Sequence, residues 1–353
     1  MNSHSPAVSL IIPCRNEQSH IEACLRSILV QEVPPGDFEV IVADGMSTDG
    51  TRDVLKRLSA EEPRLRMIDN PRQITPCGMN AGVKAARGRY IAIMGAHNRY
   101  APDYICRSVE VLEETGADNV GGAMMCEAVS YTQRAIAVAY HSPFSAGGAR
   151  WHNPEYEGPA DTVFGGVYRR QVFDQIGFFD EELVRNQDDE FNLRLTRAGG
   201  KIWQSPRVRS WYRPRNSLIT LFRQYKQYGY WKVRVIQKHK LPASVRHLVP
   251  GSFVLALLVL PLVGLWWPLA AWGWLGLLGL YTISNVTASV FTAARSEWAL
   301  FSLLPAVFVC YHFAYGYGFL RGVWDFVLWH RGPNNTFGDI TRSAEQRVAA
   351  EER

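Results

Sequence analysis

The chain has 353 residues, a formal net charge of +5 and 47% hydrophobic residues, a length that allows two domains. The six cysteines show no C-x-x-C spacing, which argues against a metal or disulfide framework. No basic and aromatic module of the known kinds is present, so nucleic acid is not an expected partner.

Met1 to Ser9 is polar and Leu10-Ile11-Ile12 is too short for the apolar core of a signal peptide, so no secretory leader is expected. Val8 to Ile12 reads as a buried parallel strand ending at Pro13. Ser19-His20-Ile21-Glu22 has capping-box spacing, and Ile21, Leu25 and Ile28 continue at helical intervals. Phe38 to Val42 is the next strand, stopping at Ala43-Asp44-Gly45, and Thr51 opens a second helix. Met67-Ile68 is a short third strand. A helix over Asn80 to Ala86 and a strand over Tyr90 to Met94 follow. Strand and helix alternate with short turns, which predicts an open, mostly parallel α/β sheet with helices on both faces. Ligands gather beyond the carboxyl ends of such strands, and Asp44 and Gly95-Ala96-His97 lie at that edge.

From Leu248 to Ala294 there is no Asp, Glu, Lys or Arg. A membrane-crossing helix needs roughly 20 apolar residues, so this run holds two crossings. Trp298 to Leu320 is a candidate third. Arg223, Lys226, Lys232, Arg234, Lys238, Lys240 and Arg246 precede the first span, which puts that side in the cytoplasm. Between Leu218 and Val235, aromatic residues alternate with basic ones, as suits a helix at a membrane interface.

Two acidic clusters carry the chemical signal. Asp44-Gly-Met-Ser47-Thr-Asp49-Gly-Thr51 places carboxylates and hydroxyls right after a strand, fit to contact a base, ribose or phosphate. The same residues suit a polar turn and helix cap. Asp188-Asp189-Glu190 gathers three carboxylates. In a partly dry pocket their repulsion raises a pKa toward that of a general base; in water they form an ordinary acidic helix start.

In order, Ile11-Ile-Pro13-Cys-Arg-Asn16-Glu17, Val42 to Thr51, Gly78-Met-Asn80-Ala-Gly82 with Ala86-Arg87-Gly88, and Gln187 to Arg194 resemble the family 2 glycosyltransferases. Ala96-His97-Asn98-Arg99-Tyr100, Asn186 to Glu190 and Tyr228-Gly229-Tyr230-Trp231 are similar to its succinoglycan-biosynthesis (ExoA-type) branch. The resemblance implies a GT-A fold, Rossmann-like, followed by C-terminal transmembrane helices. It implies nucleotide-sugar contacts from Pro13, Arg15, Glu17, Asp44, Ser47, Asp49, Asn80 and Arg87. Asp188 would be the catalytic base, and Gly165, Gly166, Asp189, Glu190, Tyr228 and Trp231 would face the acceptor. The family's Asp-x-Asp is replaced by Gly95-Ala96-His97, so His97 becomes the expected ligand for Mn²⁺ or Mg²⁺. Tyr230 stands where chain-synthesising members carry arginine, which points to a single sugar addition.

The expected organisation is a GT-A domain over 1–215, an interfacial helix region over 216–246, two to four membrane segments over 247–330 and a polar tail over 331–353. The expected reaction is inverting, metal-dependent transfer of a hexose, glucose by resemblance, from a UDP-sugar to a polyprenyl-diphosphate-linked saccharide during exopolysaccharide assembly. The expected place is the inner membrane, with several crossings, membrane lipids as neighbours and the catalytic domain facing the cytoplasm. Rivals are transfer directly onto polyprenyl phosphate, and an inactive nucleotide-sugar-binding scaffold, for which Gly95 is the main argument.

Overall fold

The computed structural model describes residues 5–32, 36–147, 149–242, 244–333 and 337. The chain divides into two compact units. Met1–Glu127 with Asn153–Arg213 form the first, and Ala128–His152 with Pro214–Arg353 the second. The break after Arg213 lies close to the expected boundary at 215. The second unit also takes a segment from inside the expected catalytic domain.

The first unit opens with β1 (Val8–Cys14), α1 (Ile21–Leu29), β2 (Phe38–Asp44), α2 (Thr51–Glu61) and β3 (Leu65–Asp69). α3 (Thr75–Ala85), β4 (Tyr90–Ile93), β5 (Asn98–Tyr100), α4 (Tyr104–Thr115), β6 (Asn119–Gly122) and β7 (Met124–Cys126) follow. In the second unit come α5 (Tyr131–Tyr140) and α6 (Pro143–Ala146). The chain returns to the first unit as β8 (Gly158–Pro159), β9 (Phe164–Arg169), α7 (Gln171–Ile176), α8 (Gln187–Arg197), β10 (Ile202–Gln204) and β11 (Ser210–Tyr212).

Eight strands form one sheet in the order β3-β2-β1-β4-β9-β6-β10-β8, and β5-β11-β7 form a second. β3, β2, β1 and β4 run parallel, whereas β9 is antiparallel to both β4 and β6. The nearly unbroken apolar sequence of β1 and β2 follows from burial on both faces. Leu10, Ile12, Val40 and Val42 face α1, α2 and α4, while Ile11 and Ile41 face α3, α7 and α8. Each of these fully buried side chains contributes about 1.5–3 kcal/mol.

Local signals held unevenly. Ile21, Leu25 and Ile28 are buried as their spacing predicts, but the capping box at Ser19 does not form. The Ser19 hydroxyl pairs with His20, and Glu22 is drawn to Arg26 and Arg57 instead. α3 starts at Thr75, ahead of the expected Asn80, because Pro76 suits a first turn.

In the second unit, α9 (Leu218–His239) is followed by α10 (Val249–Val263), α11 (Pro268–Arg295) and α12 (Leu304–Gly322). Two helices among the described residues, Val245–Val263 and Pro268–Arg295, are long and apolar enough to cross a membrane. The third expected span breaks at a turn, Trp298–Ser302, and α12 packs against α9. Their approach is close: a Cβ on Gly318 would meet the Lys226 carbonyl oxygen at 1.9 Å, and one on Gly229 the Tyr315 carbonyl at 2.0 Å. Small residues serve such contacts wherever helices touch through their backbones. The expected polar tail lies largely outside the described residues.

Candidate functional site

The carboxyl ends of β1 and β2 sit side by side, with Cys14 opposite Asp44. The two loops that follow are laced together. Ser47 Oγ accepts from the Asn16 amide at 2.9 Å, Asn16 Oδ1 from the Thr48 amide at 2.9 Å, and Thr51 Oγ1 from the Glu17 amide at 2.9 Å. Asp49 accepts from the Thr51 and Gln18 amides, so it caps the start of α2.

Asp44 is fully buried. It accepts from the Ser47 amide and hydroxyl, from Arg52 Nη1 at 2.6 Å, and lies 3.8 Å from Cys14 Sγ. A carboxylate offers about four acceptor sites, so these partners fill it. In this conformation Asp44 and Ser47 fix the loops rather than present themselves to a ligand. Arg52 also reaches Asp69, at the end of β3, at 2.8 Å. Burial, with Asp44 and Glu17 adding, pushes the Cys14 thiol well above its ordinary range, so it stays protonated. Pro13 lies alongside Gly78 of α3 and pairs with Ala43.

Arg15 runs over Gly45, and its Nε is buried with no hydrogen-bond partner among the described residues. An orphaned cationic donor at this edge is suited to an anion or a base carbonyl. Glu17 Oε1 stands 3.1 Å from His97 Nδ1, and Glu17 Oε2 stands 3.5 Å from His20. The His97 ring meets Tyr212 edge-on at 5.8 Å.

Gly95 follows β4, and a Cβ there would come within 2.5 Å of Asn98 Nδ2. The Asn98 amide thus fills the space that a side chain at 95 would need. Asn98 is 6% exposed and its Oδ1 has no hydrogen-bond partner among the described residues. A histidine with a carboxylate at one ring nitrogen, next to an orphaned amide oxygen, fits the donor set of a borderline divalent cation. No group of three or more His, Cys, Asp or Glu among the described residues could hold a metal. Such an ion would need further ligands from a bound molecule.

On the other side, Asp188 is exposed in the first turn of α8, after Asn186 with φ 61°, and its Oδ1 accepts from the Asp189 amide at 2.9 Å. Asp189 is half-buried. One turn further on, Asn192 is fully buried and joins three elements. It accepts from Asn119 Nδ2 at 2.9 Å and the Tyr168 hydroxyl at 3.3 Å, and donates to Thr162 at 2.9 Å. Gly165, with φ +62°, and Gly166 lie over this group: a Cβ on Gly166 would meet Asn119 Oδ1 at 2.5 Å. The Gly165 carbonyl accepts from the Tyr104 hydroxyl. Burial pushes the hydroxyls of Tyr104 and Tyr168 up, so both remain neutral donors.

Five expected site residues are engaged elsewhere. Asn80 donates to the Phe179 carbonyl and Glu181 Oε1, each at 2.9 Å, and accepts from the Phe179 amide. That saturates both its donors and pins α3 to the loop before α8. Arg87 pairs with Glu39, which shares the amino-terminal end of the sheet with Ser9. Strands rise about 3.3 Å per residue, so the length of β1 separates Arg87 from the Asp44 edge. Glu190 is buried in a bidentate pair with Arg194 at 2.8 and 3.0 Å. Trp231 is 1% exposed, its indole donating to the Phe337 carbonyl at 2.9 Å. Tyr228 accepts from Gln224 at 3.0 Å and stands edge-on to Tyr225.

Sequence reasoning missed Arg52 and the pair Asn119 and Asn192. Arg52 looks like one more charge on a helix face, and two lone asparagines carry no pattern until the fold joins them.

The model of the glycosyl transferase family 2 matches residues 9–177. The succinoglycan biosynthesis protein ExoA of Rhizobium meliloti (strain 1021) is 32% identical over 320 residues, covering 90% of this chain and 95% of that protein. A Methanococcus voltae protein, dolichyl N-acetyl-alpha-D-glucosaminyl phosphate 3-beta-D-2,3-diacetamido-2,3-dideoxy-beta-D-glucuronosyltransferase, is 27% identical, covering 90% of this chain and 97% of its own length. The mannosyltransferase PcManGT of Pyrobaculum calidifontis, solved in complex with GDP-Man and Mn²⁺, superposes with a TM-score of 0.59 at 16% identity, over 91% of this chain and 88% of its own. That likeness shows a shared fold.

Proposed function

Because this chain belongs to the family 2 glycosyltransferases, in their ExoA-like type, we propose that it moves a hexose from a UDP-sugar to a polyprenyl-diphosphate-linked saccharide at the inner membrane. The observation that carries this reading is the edge of the sheet, where Arg15 Nε and Asn98 Oδ1 are buried without hydrogen-bond partners among the described residues, with the Glu17–His97 pair at the same edge. Two unsatisfied groups of opposite character are what a nucleotide diphosphate with its counterion would satisfy.

In this reading Arg15 and the amide-rich loops after β1 and β2 hold the nucleotide. His97 and Asn98 would hold Mn²⁺, which when bound neutralises charge on the leaving diphosphate. Asp188 takes the proton of the acceptor hydroxyl while that oxygen bonds to the anomeric carbon. The carbon–oxygen bond to the diphosphate breaks, UDP leaves with the electron pair, and the configuration inverts. Asn192 and the amides around it hold the turn that bears Asp188.

A lipid-linked acceptor is supported by the two long apolar helices and by the basic residues before them. These features favour a multi-pass protein with its catalytic unit in the cytoplasm. The dolichyl phosphate in the name of the Methanococcus relative accords with this acceptor class.

A second reading, a subunit that binds a nucleotide sugar without turnover, has Gly95 in its favour. One experiment separates them. Detergent-purified protein is given UDP-sugars and a bacterial lipid extract, with and without Mn²⁺, beside Asp188→Asn. Labelled lipid product that falls by about 10²–10⁴-fold in the variant supports transfer. Binding without product under every donor and acceptor supports the scaffold. The product's mass distinguishes polyprenyl phosphate from a lipid-linked saccharide as acceptor.

A further inference from the structure

The loop between α7 and α8 delivers the chain to Asp188, and one side chain of α3 grips it. Asn80 is 3% exposed. Its Nδ2 donates to the Phe179 carbonyl and to Glu181 Oε1, and its Oδ1 accepts from the Phe179 amide at 3.0 Å. The side-chain amide therefore pairs with both backbone groups of Phe179, as a residue of a neighbouring strand would. A phosphate takes only N–H groups from an asparagine, and both are already engaged. Arg72 pairs with the other oxygen of Glu181.

The far side of the same loop is tied to α8. The buried Phe179 ring stacks on Phe191 of α8 at 4.4 Å. Arg194 of α8 donates to the Ile176 and Phe178 carbonyls at 2.6 and 2.7 Å. Phe191 lies within one helical turn of Asp188. The loop is thus clamped between α3 and α8. We propose that Asn80 is a positioning residue: by fixing the backbone of Phe179 it sets where α8 begins, and so where the Asp188 carboxylate stands. This inference rests on the reading of Asp188 as the base. A misplacement of about 1 Å at such a group costs about a hundredfold in rate.

Three full-length variants test it: Asn80→Ala, Asn80→Asp, and Asn80→Asp with Glu181→Gln. Asn80→Asp sets a second carboxylate against Glu181 and the Phe179 carbonyl, and the added Glu181→Gln returns a donor opposite it. Well below their unfolding temperatures, both single variants should lose about ten- to a hundredfold in kcat. Their Kd for UDP, from calorimetric titration, should stay within about twofold of the parent. The double variant should regain about fivefold in kcat over Asn80→Asp. Hydrogen exchange at the amides of α8, but not of α1, should quicken in the single variants and slow again in the double. Weaker binding of UDP with kcat intact would make Asn80 a nucleotide contact and overturn the proposal. A double variant no better than Asn80→Asp, or unchanged exchange in α8, would overturn it too. Exchange needs no turnover. If the protein transfers no sugar, or if Asp188→Asn leaves kcat untouched, the transferase reading or its base falls, while the exchange pattern still decides whether Asn80 holds α8.

Discussion

Replacing Asn192 by alanine would strand two buried partners at once, the Asn119 amide and the Tyr168 hydroxyl. Leaving buried polar groups unpaired costs about 1–3 kcal/mol each, so thermal unfolding of Asn192→Ala should fall by several degrees. Its kcat should fall too, because α8 loses the tie that anchors it one turn after Asp188. Arg87→Ala makes a contrasting case. Its partner Glu39 keeps Arg66 at 3.3 Å and Ser9 at 2.7 Å, and Arg87 itself is largely exposed. The variant should lose less than about 1 kcal/mol, with no change in the KM for the nucleotide sugar. A large rise in that KM would return Arg87 to the nucleotide site. Burial pushes Glu39 up, but hydrogen bonds from Ser9 and Arg87 outweigh it and hold the carboxyl below its usual range. Its contribution is therefore complete above the ordinary glutamate pKa of about 4.3 and fades as pH falls through the depressed value. Glu39→Gln should flatten the stability profile in that acidic window, as pH-dependent melting would show.

Elements differ in how far the sequence disclosed them. β1 and β2 were legible because burial on both faces writes a continuous apolar run, and with them the edge that bears Arg15 and Glu17, where Glu17 pairs with His97. Asn80 and Arg87 were not, because what they bind lies 99 and 48 residues away in sequence, at Phe179 and Glu39. α9 was legible as a helix with an apolar face. Local pattern could not say that Trp231 would be buried against Phe326 and Phe337, and interfacial aromatics look the same as packed ones. The α5–α6 segment shows a further consequence of packing. Burial drives the His152 pKa down to about 4, against the pull of the Tyr140 carbonyl, with His141 and Arg246 adding to the drop. The unfolded chain would bind this proton from about pH 6.5, so stability present above that value is lost as pH falls toward about 4. Limited proteolysis should open this segment progressively over that range, and His152→Phe should narrow the dependence.

At the scale of the whole molecule, α10 and α11 carry their apolar side chains outward, with Leu258 58% and Leu280 64% exposed. An arginine at a span's centre costs about 2.5–3.5 kcal/mol of insertion. Leu258→Arg with Leu280→Arg should therefore shift the protein from the alkali-resistant membrane fraction toward the soluble one. An unchanged distribution would mean these helices do not span. The second unit also encloses a segment that the chain makes long before the rest of it. Ile136 and Ala139 pack with Leu304, Val307 and Phe308, and the Ile136 carbonyl accepts from Tyr311, 175 residues later. During synthesis α5 leaves the ribosome with its apolar face uncovered, and it stays so until α12 emerges. Contacts so distant in sequence form late, and the waiting surface is open to aggregation or to a chaperone. A shortened protein ending at Arg213 would lack α12 and should therefore be poorly soluble, as the soluble fraction after expression would show. The cause is an orphaned helix within its own sequence, even with every strand of both sheets present.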